Sequence, residues 1–273
     1  MSDLKQALTA YVDANTPAGT KPWAGVSPPI WRRPRTWVAL AAAAVLVLGV
    51  GLLVREVSGP SELTVASADG GSSSAYPSQR ARDWVTYADH VVVVTPVAED
   101  GLGPHEFEDG EGWIDRRVTL RVDEVLWSRA DPARPLSGML AVDMWGWLYD
   151  GDPSNRGRWV GEGWSRVELG HSYIMAVIWE DARCSPGDES QPGEWADLGE
   201  AGTVAYDNGA VGEGEFEGTF RTAEEAAEAA DPRDPNYTFA QRMTGLDAAA
   251  VREVLVGTEP GERRQYTEPA PCD

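Results

Sequence analysis

Lysine is almost missing from this 273-residue chain: Lys5 and Lys21 stand against 21 arginines, a bias of the kind a GC-rich genome imposes and not a functional signal. Histidine is nearly as scarce, and His90, His105 and His171 are the whole supply of imidazole bases. No Gly-x-Ser-x-Gly elbow, P-loop, Gly-x-Gly-x-x-Gly fingerprint or His-Glu-x-x-His helix occurs. These absences remove the enzyme classes that such motifs announce, and they leave no residue set that reads as catalytic, cofactor-binding or metal-binding. Cysteine is limited to Cys184 and Cys272, with no C-x-x-C spacing and no neighbouring histidine, so neither thiol reads as a nucleophile or a metal ligand. Both lie in the C-terminal part, and an even count there predicts a disulfide if that part is exported.

Charge is absent altogether from Thr36 to Val54, 19 residues that read TWVALAAAAVLVLGVGLLV. At 1.5 Å of helical rise per residue the run spans roughly 28 Å, close to the hydrocarbon thickness of a bilayer, which predicts a transmembrane helix over residues 36–54. Arg32, Arg33 and Arg35 precede it, while only Arg55 follows, next to Glu56. The positive-inside rule then keeps residues 1–35 in the cytoplasm and places the rest outside the plasma membrane, as a single-pass protein held in the lipid bilayer by residues 36–54. A cleaved secretory signal is the alternative, since Ala66-Ser67-Ala68 has the A-x-A form. Its n-region would be 35 residues long and its cut would lie far beyond the apolar run. Either way residues 69–273 are exported.

Residues 55–273 carry 18 basic and 42 acidic side chains. So acidic a body repels nucleic acid and anionic lipid headgroups, and its simplest role is to keep the surface solvated. The flanking segments differ in composition. Residues 1–35 read as a flexible tail with one short amphipathic stretch, and residues 55–78, rich in Ser, Gly and Pro, read as a tether. A folded domain is expected over residues 79–273.

Within that domain the spacing of Ala81, Trp84, Val85 and Ala88 predicts a short helix. His90–Val97 (HVVVVTPV) predicts a strand buried on both faces, and Val118, Leu120 and Val122, with Val125 and Trp127 out of phase, predict a second strand bulged between Val122 and Val125. Further strands are expected over Met139–Leu148, Ser172–Glu180 and Trp195–Tyr206, the last ended by an Asp207-Asn208-Gly209 turn. A capping box of Thr222 and Glu225 heads one helix, and Leu246–Val256 forms another that Gly257 stops. Five strands with few helical crossovers and helices at the ends predict a mainly β domain, a small five-stranded antiparallel OB-like barrel. A β-sandwich would produce much the same pattern.

The segments Tyr87–Val97, Val118–Trp127 and Gly170–Met175 resemble the OB-type barrels of secreted proteins in the netrin and metalloproteinase-inhibitor class, over about residues 85–210. The resemblance implies the fold alone. The inhibitors act through an N-terminal cysteine that chelates a catalytic metal, and no cysteine opens this domain.

His90 and His171 border expected strands and read as structural hydrogen-bonding residues. His105-Glu106-Phe107-Glu108-Asp109-Gly110-Glu111 is an acidic loop of calcium-like chemistry, as is Asp150-Gly151-Asp152, but neither has EF-hand spacing, and both read first as solvated loops. The most suggestive segment runs from Trp145 to Trp164. There Trp145, Trp147, Tyr149, Trp159 and Trp164 are interleaved with glycines and with charged and amide side chains, the material of a surface that holds a sugar or peptide. The same rings also suit a barrel core or rim. Three functions compete: an extracytoplasmic binding module for a cell-wall glycan, peptide or protein; a single-span signalling accessory whose tail binds a cytoplasmic regulator; and an exported hydrolase, for which no water-activating site can be assembled from these residues.

Overall fold

A computed structural model describes residues 63–66, 76–107, 110–182, 184 and 192–264. The expected cytoplasmic tail, the expected span at 36–54 with Arg32, Arg33 and Arg35, most of the expected tether and Cys272 lie outside the described residues. No helix among the described residues is long and apolar enough to cross a membrane.

The described chain is mainly β and is organised around one large sheet. Its strands are β1 (Leu63–Ala66), β2 (His90–Glu106), β3 (Glu111–Ser128), β4 (Met139–Asp150), β5 (Arg156–Gly161), β6 (Tyr173–Glu180), β7 (Glu194–Asp197) and β8 (Thr203–Ala205), paired in the order β1-β5-β4-β3-β2-β6-β7 with β8 also on β6. A separate hairpin joins β9 (Gly214–Phe216) and β10 (Thr219–Arg221). The helices are α1 (Ala81–Tyr87), α2 (Ala223–Ala229), α3 (Phe239–Arg242) and α4 (Ala248–Val256).

The β-branched run behaves as its composition demands. Val91 and Val93 point to one side of β2 and Val92 and Val94 to the other, and all four are buried. On β6, Ile174, Ala176 and Ile178 share the side of Val91, while Tyr173, Met175 and Val177 share that of Val92. The first side is covered by Trp84, Val85 and Tyr87 of α1, Phe239 of α3, and Val251 and Leu255 of α4. The second packs against Val118, Leu120, Leu140 and Val142 of β3 and β4. Strands buried on both faces are thus sandwiched between a helical layer and the sheet's own curvature, at about 1.5–3 kcal/mol for each large apolar side chain removed from water.

Several expectations require correction. The five-stranded antiparallel barrel is not closed. β4 and β7, which would have to complete it, meet at a single parallel residue pair, Val142 and Trp195, and β1 also pairs in parallel, with β5. The expected fifth strand is two short ones, because the chain turns at residues 198–202, where a Cβ on Gly202 would run into Leu198. Leu63–Ala66, inside the expected tether, adds to the sheet edge, and Ser78 already belongs to the core, its carbonyl accepting from the Trp84 indole at 2.8 Å. The bulge lies within the expected interval: Val94 pairs with Val122 and Val93 with Glu124, so Asp123 is skipped. The Thr222–Glu225 box caps α2, and Asp247, accepting from the Ala250 amide at 2.9 Å, starts α4 two residues later than its apolar pattern.

Candidate functional site

The β2–β3 hairpin is twice as long as its apolar runs. Beyond Pro96 and before Val118 it leaves the core and forms an arm with the second half of β4 and with β5. His105 and Glu106 therefore end β2, and Glu111 begins β3, so both ends of the expected acidic loop belong to strands. Among the described residues no group of three or more His, Cys, Asp or Glu converges as a metal site.

Where the arm meets the body, β4 is bulged: Ile114 pairs with Trp147 but Arg116 with Met144. Gly146 sits in this bulge because a Cβ there would strike the Ile114 carbonyl. The bulge turns Trp145 towards Trp159 of β5, with ring centroids 3.9 Å apart, and towards Trp164, at 5.6 Å. These three rings line a groove of about 760 Å³ that runs from the hairpin tip, at His105, Phe107 and Trp113, along β4 to Trp195 and Asp197 of β7.

Of the five aromatic residues singled out, Trp145, Trp159 and Trp164 meet at this groove and the other two do not line it. Trp147 is covered by the Arg156 guanidinium at 4.2 Å. Tyr149 is buried, and its hydroxyl donates to the His105 carbonyl at 2.9 Å across Gly112, a position with no room for a side chain. Phe107, Trp113 and Trp195 belong to the groove as well. Only Trp195 stood in an expected strand, and the convergence of the three was not legible.

Beneath the rings lies a buried polar network. Arg116 is wholly shielded and donates through Nε to the Trp145 carbonyl at 2.7 Å, through Nη1 to Glu99 at 2.6 Å and to the Val167 carbonyl at 3.2 Å, and through Nη2 to the Arg166 carbonyl. Arg166, also buried, donates to the Gly146 carbonyl at 2.8 Å and to Glu168 at 2.6 Å. Glu215 of β9 accepts from the Arg166 and Val167 amides and from the Tyr173 hydroxyl. Burial and the proximity of Arg116 lower the Arg166 pKa. Burial raises that of Glu168, but Arg166, Arg116 and Arg158 more than offset it and hold the carboxylate below its usual range. Val167, β-branched, is held at φ 62°, a conformation that costs about 1–3 kcal/mol and persists only where neighbours dictate it. Here Glu215 and Arg116 hold its amide and its carbonyl.

Five carboxylates line the groove: Asp115, Asp143, Glu180, Glu194 and Asp197. Burial raises the Asp115 pKa, against the Trp113 indole bond and His105, with Asp143 adding to the rise. Burial, aided by Glu180, pushes Asp197 up to about 6.

The histidines are fastened elsewhere in the fold or at the groove's rim. His90 Nε2 bonds the Arg134 carbonyl at 3.1 Å, so that nitrogen carries the proton and Nδ1 accepts from Ser128. His171 is bound to Asp207 at 2.5 Å, and His105 stacks on Trp113 at 4.6 Å. Cys184 is disulfide-bonded. No family model matches the chain, and no curated protein and no solved structure shows significant similarity to it.

Proposed function

We propose that the chain is a single-pass binding module of the cell envelope, with residues 1–35 in the cytoplasm, residues 36–54 in the bilayer and the β-rich body outside, and that the body holds its ligand in the groove between β4 and β7. The groove carries this reading: its volume of about 760 Å³ lies within the range of ligand sites, and its walls combine aromatic faces with a few polar groups. The anchoring rests on the uncharged run and its arginine collar. The pairing of strands supports an opened OB-type arrangement. β2, β3 and β4 form a meander, β6 returns beside β2, and β7 touches β4 in parallel. In that arrangement the face of the second and third strands and the loops at its rim are the usual binding surface, and the groove is lined by β3, β4, the hairpin tip and the ends of β6 and β7.

Two measurements test the reading. Protease added to intact spheroplasts is expected to digest the C-terminal part of a chain that sediments with membranes; protection of that part, or a freely dissolved chain, overturns the topology. Gently solubilised full-length protein is expected to retain an envelope component, recovered intact, that quenches or shifts tryptophan emission and is lost in Trp145→Ala. Unchanged emission across envelope fractions refutes the groove as a binding site.

A further inference from the structure

We infer that the groove's ligand is an uncharged linear oligosaccharide, whose ring faces lie on the Trp145 and Trp159 indoles and whose hydroxyls donate to the carboxylates of Asp115, Asp143 and Asp197. The inference rests on the binding-module reading and adds the chemistry of the ligand to it.

Backbone recognition is closed off in this groove. β5 pairs with β4 at Trp147, Leu148 and Tyr149, the carbonyls of Trp145 and Gly146 accept from Arg116 and Arg166, and β7 lies along β6 over all four of its residues. A peptide strand added to a sheet edge is held by main-chain bonds, and here the main chain is already engaged. A ligand is therefore held by side chains, through ring faces and through the polar groups beside them.

The ring faces are open. Trp145 and Trp159 are partly exposed, and buried Trp164 backs Trp145 at 5.6 Å. Elsewhere this protein covers indoles with its own arginines, Arg156 on Trp147 at 4.2 Å and Arg134 on Trp179 at 4.5 Å. Among the described residues no guanidinium lies over Trp145 or Trp159. A pyranose ring presents a flat face of polarised C–H groups, which suits the negative face of an indole.

The polar groups of the lining are acceptors. Its donors are committed within the protein, Arg166 to the Gly146 carbonyl and Glu168, Ser165 to the Glu215 carbonyl at 2.9 Å, and the Trp113 indole to Asp115 at 3.2 Å. The carboxylates keep capacity, because each can accept about four hydrogen bonds. Asp143 receives one bond from Arg117 on each oxygen, and Asp115 meets Trp113 and His105 through Oδ2. With Arg117 and His105 already beside them, these two groups have room for hydrogen-bond donors more than need of a further positive charge. Sugar hydroxyls donate without bringing charge, whereas an anionic ligand would be repelled.

The groove's length calls for a chain of rings. Trp113 stands opposite Leu148 near the hairpin tip, and Val118 stands opposite Val142, which itself faces Trp195. Five steps along β3 separate these two levels, roughly 17 Å at the rise of a strand and the length of about three linked pyranose rings.

The test uses the full-length chain in micelles of a detergent without sugar headgroups, read by tryptophan emission and calorimetry. The probes are linear trimers of N-acetylglucosamine, glucose and mannose, their monomers, a uronic acid trimer and a lysine-containing peptide. One of the neutral trimers is expected to bind at least about tenfold more tightly than its monomer and than the uronic acid trimer, with less than about twofold change between roughly 0.05 and 0.5 M salt. Trp145→Ala should weaken that binding about tenfold and Trp145→Phe less, and Asp115→Asn should weaken it about tenfold while the unfolding midpoint is kept. Failure of all three neutral trimers to bind, equal affinity for the uronic acid trimer, or binding indifferent to Trp145→Ala overturns the inference. If the lysine peptide or another envelope component binds through Trp145 while the neutral trimers fail, the ligand class is wrong and the binding module stands. If neither these probes nor any envelope extract binds, both fall.

Discussion

The two halves of the β2–β3 hairpin are built from different physics. Where β2 pairs with β6, Val91, Val92 and Val94 are fully buried, and stability comes from apolar area removed from water on both faces of a strand. Where the hairpin runs on past Pro96, most side chains of β2 are exposed, and the arm is held to the body by directional bonds from Arg116 and Arg166 to the carbonyls of Trp145 and Gly146. Apolar burial tolerates small shifts, because it is nearly proportional to area and has no preferred direction. A guanidinium bonded to four acceptors does not. The arm is therefore the part of the molecule in which aromatic rings are placed accurately, and the body is the part that supplies stability.

Arg116→Ala should separate the two most sharply. It leaves Glu99 and three carbonyls without their donor, and is expected to cost about 3–5 kcal/mol in denaturant unfolding and to disperse the Trp145–Trp159–Trp164 cluster, seen as a red shift of emission in the folded state. Ile178→Ala, in the body, is expected to cost about 2–5 kcal/mol through the cavity it leaves, with no change in the emission of the folded protein. A shift of equal size in both variants would show that arm and body are one unit.

Asp197→Asn should act in the opposite direction. The native carboxyl titrates near 6, above its unfolded value of 3.8, so the folded state binds the proton more tightly. Its contribution favours folding as pH falls from about 6 towards 4 and opposes it above 6. The amide should raise stability at pH 7 by about 1–3 kcal/mol and flatten the pH dependence in that window, as measured by thermal unfolding at several pH values. The smallest effect is expected from Arg156→Ala, which removes the nearer of the two guanidinium groups over Trp147 and should cost about 0.5–1 kcal/mol, measurable by the same unfolding assay.

The body was largely legible along the chain. HVVVVTPV and SYIMAVIWE each form a strand whose alternate side chains enter different clusters, and the phase slip after Val122 is a skipped residue in the ladder. The arm was not. Arg156–Gly161 (RGRWVG) has the composition of a loop and becomes β5 because Trp147–Tyr149 offers it a ladder. β9 and β10 are three residues each, too short to carry a period, and Glu215 within them joins the buried network through its reach to Arg166, Val167 and Tyr173. Trp145, Trp159 and Trp164 could be marked as a group by their spacing among glycines, but the exclusion of Trp147 and Tyr149 from the groove depends on a bulge that Gly146 permits. Arg116 carries no distinguishing mark in the sequence, since nothing in its neighbourhood along the chain reports that it is wholly buried.

Residue order alone determined which buried runs are strands of the core, that helices stand after Arg80, after Thr222 and before Gly257, and that one uncharged run of bilayer length precedes an acidic domain, because each of these follows from periodicity, caps and composition within about twenty residues. Whether the sheet closes, which rings share a groove and which charges face it were decided by contacts between residues far apart in the chain. Val142 and Trp195 meet as a single pair, and Arg116 lies 50 residues from the carbonyl of Arg166 that it holds. Such contacts exist only once the chain has folded, and no local pattern records them.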